Sequence, residues 1–88
     1  MTTKILRLPS VQAETGASRS TVYLRVQQGL FTKPVRLGRR SVGWPASEIA
    51  ALNAALIAGQ TSDEIRQLVR ELEAARAPVM KRLEGEAA

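Results

Sequence analysis

The chain contains no cysteine and no histidine in 88 residues. Without cysteine there is no disulfide framework, no thiolate zinc site and no thiol nucleophile. Without histidine the usual general base and the commonest metal ligand are missing. Aromatic residues are scarce as well, with one Phe, one Tyr and one Trp. That is too few for the interleaved stacking platform on which RNA or single-stranded DNA is held. The first 45 residues offer a single carboxylate, Glu14, and no phosphate-cradling glycine loop. Nothing there pairs a nucleophile with a base, so the expectation is a protein that is not an enzyme and needs neither cofactor nor metal. No apolar run approaches the ~18 residues of a membrane span, and the N-terminus lacks a signal-peptide core, so a cytoplasmic protein with no membrane partner is expected. A chain of this length buries only roughly 60 to 65% of its unfolded surface, which implies one small domain with a modest core, plus at most an appendage.

What is present is positive charge, and it is unevenly placed. Residues 1–45 carry Lys4, Arg7, Arg19, Arg25, Lys33, Arg36, Arg39 and Arg40 against Glu14 alone. Residues 46–88 carry five basic and seven acidic groups, so the net +5 of the chain comes from its first half. Six of the eight basic groups there are arginines, whose planar fork suits phosphates and guanine edges. A field of this sign implies an anionic partner.

The stretch Thr15-Gly-Ala-Ser-Arg-Ser-Thr-Val-Tyr-Leu-Arg-Val-Gln-Gln-Gly29 has the form of the turn and second helix of a helix-turn-helix. Ser18 can cap the helix start, and Gly29 can take the left-handed conformation that ends it. Val22 and Val26 lie one turn apart and form a narrow apolar stripe. Ser20, Leu24, Gln27 and Gln28 fall on the other side, with Arg25 on the flank. Such a helix fits a DNA groove, although an ordinary surface helix with a solvated polar face would show the same pattern. Before it, Ile5, Leu6 and Leu8 make a short apolar segment, with a strand as one reading, that ends at Pro9. Ser10 is the expected cap of a first helix over about Val11–Thr15, closed by Gly16.

After Gly29 the pattern changes period. Val35-Arg-Leu37 and Val42-Gly-Trp44 alternate, joined by Gly38-Arg-Arg-Ser41, which predicts a β-hairpin. Val35, Leu37, Val42 and Trp44 are expected on one buried face, with Arg36 outside and Arg39 and Arg40 at the tip. A basic hairpin directly after a helix-turn-helix is the layout of a wing. Pro45 is expected as the first residue of a third helix with Ile49, Leu52 and Leu56 on its apolar stripe, ended by Gly59. Thr61-Ser-Asp-Glu64 is a capping-box pattern that opens a last amphipathic helix. Its stripe is Ile65, Leu68, Val69, Leu72 and Ala75, with Arg70 and Glu73 placed to pair; Pro78 is expected to break it, with Val79–Glu84 adding a final turn. The stripe either folds back as extra core or meets another protomer, and Ile65, Leu68, Val69 and Leu72 are the expected self-association surface.

Taken together, Leu6-Arg-Leu-Pro9, Thr15-Gly-Ala-Ser-Arg-Ser-Thr-Val-Tyr23, Gln28-Gly-Leu-Phe31, Lys33-Pro-Val-Arg-Leu-Gly38, and Val42-Gly-Trp-Pro45 with Ser47-Glu-Ile49 resemble the AlpA family. These are small regulators of phages and mobile elements, related to winged-helix excisionases and more distantly to MerR-type DNA-binding domains. The resemblance covers about residues 5–58, with several motifs in the same order and spacing. Two positions depart from it: Ala17 stands where a larger apolar residue is usual, and Leu24-Arg25 reverses the more frequent order.

The resemblance implies a mainly α fold with a small β-hairpin: a winged helix-turn-helix over residues 5–59, followed by a C-terminal helical extension over 60–88. It implies double-stranded DNA as partner, in a bacterial cytoplasm and at the nucleoid. It also implies one of two outputs, transcriptional control of mobile-element genes or a recombination directionality factor that steers an integrase towards excision. In this reading Ser18 caps the recognition helix, while Arg19, Ser20, Tyr23 and Leu24 approach bases. Thr21, Arg25 and Gln27 hold phosphates or sugars. Arg39 and Arg40 at the wing reach an adjacent minor groove or its phosphates, supported by Lys33 and Arg36. Single domains of this size cover few base pairs, so a homo-oligomer or cooperative array on DNA is expected. The rival reading is a protein-interaction module, antitoxin-like or a scaffold, that works through the last helix without specific DNA binding.

Overall fold

The computed structural model describes residues 4–76; the expected break at Pro78 and the turn over Val79–Glu84 lie outside the described residues. The elements run β1 (Ile5–Leu6), α1 (Leu8–Thr15), α2 (Arg19–Gln27), β2 (Val35–Arg36), β3 (Val42–Pro45), α3 (Ala46–Ile57) and α4 (Ser62–Ala74). The fold is mainly helical with a small antiparallel sheet, as a winged helix requires.

The first helix begins at Leu8, three residues before the expected start, with Arg7 and not Ser10 at its cap. Pro9 does not end the preceding segment. It occupies the first turn, where its missing N–H has no intrahelical partner to lose. Gly16 then turns the chain at φ +70°, its N–H donating to the Gln12 carbonyl at 2.8 Å. Three residues later α2 starts, capped by Ser18, whose hydroxyl accepts from the Thr21 N–H at 3.2 Å. Its end matches the expectation too, with Gly29 at φ +76° and the Leu30 N–H closing back on the Arg25 carbonyl.

The sheet corrects the expected hairpin in two ways. Its order is β1-β3-β2, so the N-terminal segment supplies a third strand and β3 is central. The register pairs Val35 with Gly43 and Arg36 with Val42. Directly paired residues share a face, so Val35 lies on the Gly43 face, opposite Trp44, and Arg36 lies on the face of Val42 and Trp44. The alternation was right, but the register is displaced by one residue, and with a side-chain period of two that reverses a whole strand. Leu37 is accordingly 43% exposed and does not join Trp44. No side chain fits at Gly43, because a Cβ there would lie 2.5 Å from Ile5 Cγ2 and 3.0 Å from the Leu6 carbonyl oxygen.

Trp44 sits at the centre of the core, fully buried. Tyr23 and Phe31 meet it edge-on at ring-centroid separations of 6.2 and 6.1 Å. Its indole N–H donates to the Thr32 carbonyl at 2.8 Å. Val11, Val22, Ile49, Leu52 and Ala55 complete the shell, with Ile65 and Val69 from α4. Pro45 is the last residue of β3 and the cap of α3, not its first helical residue. On α3 the buried stripe is Glu48, Ile49, Leu52 and Ala55, whereas Leu56, expected inside, is 50% exposed.

The capping box at the start of α4 forms as expected, and the Thr61 N–H holds the Glu64 carboxyl below the usual carboxylate range. The stripe that follows does not stay open for a neighbour. Ile65 and Val69 are buried in the chain's own core, and Leu68 and Leu72 pack against it half-buried. Packing Ile65 and Val69 against α3 and the core removes them from water within the chain itself, and leaves Leu68 and Leu72 partly exposed. Through Ile65 and Val69, the C-terminal helical extension packs on the core of residues 5–59. Arg70 and Glu73 do not pair with each other; Arg70 donates to the Gln67 amide oxygen and Glu73 accepts from the backbone of Lys33.

One buried group is left over. Thr32 is fully buried, and among the described residues its hydroxyl oxygen has no hydrogen-bond partner. Thr32→Val removes that hydroxyl at nearly constant shape and is expected to raise stability by about 1 kcal/mol. A urea melt that shows the variant less stable than wild type would instead mean that the hydroxyl is satisfied.

Candidate nucleic-acid interface

The outward side of α2 is built by its own periodicity. Val22 and Val26 turn inward, which leaves Arg19, Ser20, Leu24 and Gln27 exposed and Thr21, Tyr23 and Arg25 half-buried. Leu24 is 51% exposed, so at the reversed Leu24-Arg25 pair the leucine faces out. The Ser18 and Thr21 hydroxyls are 2.8 Å apart and are occupied with the cap and with each other. Tyr23 leans its ring on Trp44, which ties α2 to β3, the central strand of the sheet.

The wing tip is the three-residue bend Gly38-Arg39-Arg40, closed by the Leu37 N–H donating to the Ser41 carbonyl at 2.8 Å. Arg39 and Arg40 are exposed there, as are Arg36 and Lys33 along the hairpin and its base. Arg7 reaches the Ser41 hydroxyl at 3.5 Å, a weak contact between the end of β1 and the hairpin.

Neither α2 nor the hairpin carries a carboxylate of its own. Among the described residues the ion pairs are Arg66 with Asp63, within α4, and Arg76, just past α4, with Glu48 of α3. The arginines of α2 and of the hairpin take part in neither of these pairs, and α2 has no acidic residue in its first turn. A helix N-terminus of that kind favours an anion through its free N–H groups and its dipole. Among the described residues no group of three or more acidic side chains could hold a metal ion, and no helix is long and apolar enough to cross a membrane.

The residues that sequence reasoning passed over are those that hold the loop between α2 and β2. Arg66 Nε donates to the Gln28 carbonyl at 3.0 Å, and Glu73 Oε2 accepts from the Lys33 N–H at 2.8 Å. Arg76 Nη2 donates to the Lys33 carbonyl at 2.7 Å, and its guanidinium also forks onto Glu48 at 2.6 and 2.8 Å. One signal for this was available. Glu48, Leu52 and Ala55 fall at i, i+4 and i+7, so a carboxylate on a buried stripe demanded a cationic partner from elsewhere.

The comparisons agree with this layout. The family model described as "Prophage CP4-57 regulatory protein (AlpA)" matches residues 4–51, just over half of the chain and all of β1 through the first half of α3. A relative, "Uncharacterized protein ORF88" of Enterobacteria phage P4, is 42% identical over 57 residues, which span 65% of each chain. No solved structure matches the chain. The matched stretch holds the helix-turn-helix, the basic hairpin and the central tryptophan in the order just described; the chain belongs to the AlpA family of prophage regulatory proteins.

Proposed function

We propose that the chain is a sequence-specific, double-stranded-DNA-binding regulator of a prophage or similar mobile element. The recognition helix Arg19–Gln27 enters the major groove, with Arg19, Ser20 and Leu24 at base edges and Arg25 and Gln27 on the backbone. Thr21 and the Tyr23 hydroxyl, half-buried, approach the sugar-phosphate edge. Arg39 and Arg40 reach the flanking minor groove or its phosphates, with Arg36 and Lys33 beside them. The observation that carries this reading is a helix with an outward face free of carboxylates, joined through Tyr23 and Trp44 to a hairpin tipped by two exposed arginines.

One domain of this kind buries roughly 600 to 1,000 Å² on DNA, too little for high specificity alone, so several copies bind neighbouring sites. The same surface serves either output, excision steered through an integrase or transcription of the element's genes. The rival interaction-module reading loses its main support, because the stripe it would use is largely occupied by the chain's own core.

The test is a salt series on a duplex from the element's attachment or promoter region and on a scrambled duplex. Tighter, stepwise binding to the native duplex is expected, with a steep salt slope on both. Arg39→Ala with Arg40→Ala should lower affinity at least tenfold and flatten the slope by about 2, since each lost phosphate contact removes roughly 0.9. Equal, weak binding to both duplexes, unmoved by the double substitution, would overturn the reading.

A further inference from the structure

Between the recognition helix and the wing lies a loop whose two ends are both held by α4. At one end Arg66 donates to the carbonyl of Gln28, the cap residue of α2, and the stem of Arg66 lies against Gly29. Asp63, 3.3 Å away, orients the same guanidinium. At the other end both backbone polar groups of Lys33 are engaged, the N–H by Glu73 and the carbonyl by Arg76. Arg76 is fixed in turn by its two-pronged contact with Glu48, whose side chain is only 6% exposed.

Lys33 lies five positions after Gln28, enough to span anything up to about 17 Å when extended. Arg66 and Glu73 are seven positions apart on α4, about 10 Å along a rigid axis, and Arg76 follows directly after the helix's C-cap, Ala75. We propose that α4 acts as a ruler, with Arg66, Glu73 and Arg76 as positioning residues. They fix the distance between the end of the recognition helix and the base of the wing, so that both meet one duplex in register. The inference rests on the DNA-binding reading and goes beyond the family match, which ends at residue 51, before α4 begins. The positively charged Arg66 on the C-terminal carbonyl of α2 also suits the negative end of that helix.

The full chain and its Glu73→Ala variant separate a ruler from a mere fold support. Hydrogen exchange on the free proteins reads the tether directly. Glu73→Ala should speed exchange of the Lys33 and Leu37 amides about tenfold while leaving the core amides of Val22 and Val69 as they are. Duplex binding then reads the consequence. Glu73→Ala should weaken specific binding about tenfold, and Arg39→Ala with Arg40→Ala should cost much less in that background than in wild type, because the wing is already out of register. Arg66→Gln is a second variant acting at the other end of the ruler and should give the same loss of coupling. Unchanged exchange at Lys33 and Leu37, or a wing whose cost is fully additive with Glu73→Ala, overturns the proposal. Looser exchange in a wild-type-foldable variant, with no duplex binding by wild type at all, overturns the DNA-binding reading and leaves α4 a fold element only.

Discussion

Trp44→Ala is expected to cost roughly 4 kcal/mol and to leave the protein largely unfolded at 37 °C. The indole is fully buried, meets two other aromatic rings edge-on and donates the hydrogen bond that occupies the Thr32 carbonyl. Alanine removes the apolar area, opens a cavity where β3, α2 and the Phe31 loop converge, and orphans a buried acceptor. In a domain this small each kcal/mol shifts the melting temperature by about 4–8 °C, so a fall of about 15 °C or more should appear in a thermal melt followed by circular dichroism. Trp44→Phe keeps a ring but loses the N–H, and should fall between the two. A Trp44→Ala variant that melts within a few degrees of wild type would mean that the core is centred elsewhere.

Arg76→Ala is expected to cost about 3 kcal/mol, far more than a surface ion pair would. Its partner Glu48 is 4% exposed and lies on the buried stripe of α3, so removing the guanidinium strands a carboxylate away from water. The cost is that of the unpaired charge more than the worth of the pair. Replacing both together, Glu48→Leu with Arg76→Leu, should therefore recover most of the loss in a denaturant melt. Acid–base behaviour follows with a definite sign. Donating its hydrogen bonds to the Glu48 carboxylate raises the Arg76 guanidinium above its ordinary range, so this contribution is complete at neutral pH and disappears from the arginine side only in strong alkali. A double variant no more stable than Arg76→Ala alone would show that Arg76 acts mainly through Lys33.

How much of this could be read in the chain depends on how local each determinant is. Ser18, Gly16 and Gly29 mark the bounds of α2 because caps and left-handed turns are decided within four or five residues. The tip arginines were legible for the same reason. Pro9 misled, since a proline that stops one helix also fits the first turn of another. The hairpin's faces misled because Val35 and Leu37 alternate correctly on their own. The pairing of Val35 with Gly43 is set by β3 and its contacts to β1. Leu56 and Ala55 are adjacent on α3, and only the partner helix decides which of the two is covered. The role of α4 was the least legible part. Whether an amphipathic stripe meets its own core or a neighbour is a long-range matter, and the tethers from Arg66, Glu73 and Arg76 reach back about 40 residues.

The position of β3 between β1 and β2 has a consequence for how the molecule assembles. Pairing Ile5 with Pro45, and the Ala46 N–H with the Lys4 carbonyl, closes a loop of about 40 residues that contains the entire helix-turn-helix. The entropy of that closure is recovered only once α1 and α2 have already shortened the path between its ends. The helices are therefore expected to form early in folding and the sheet late. A newly made chain is then expected to hold α2 before it has a wing to pair with it.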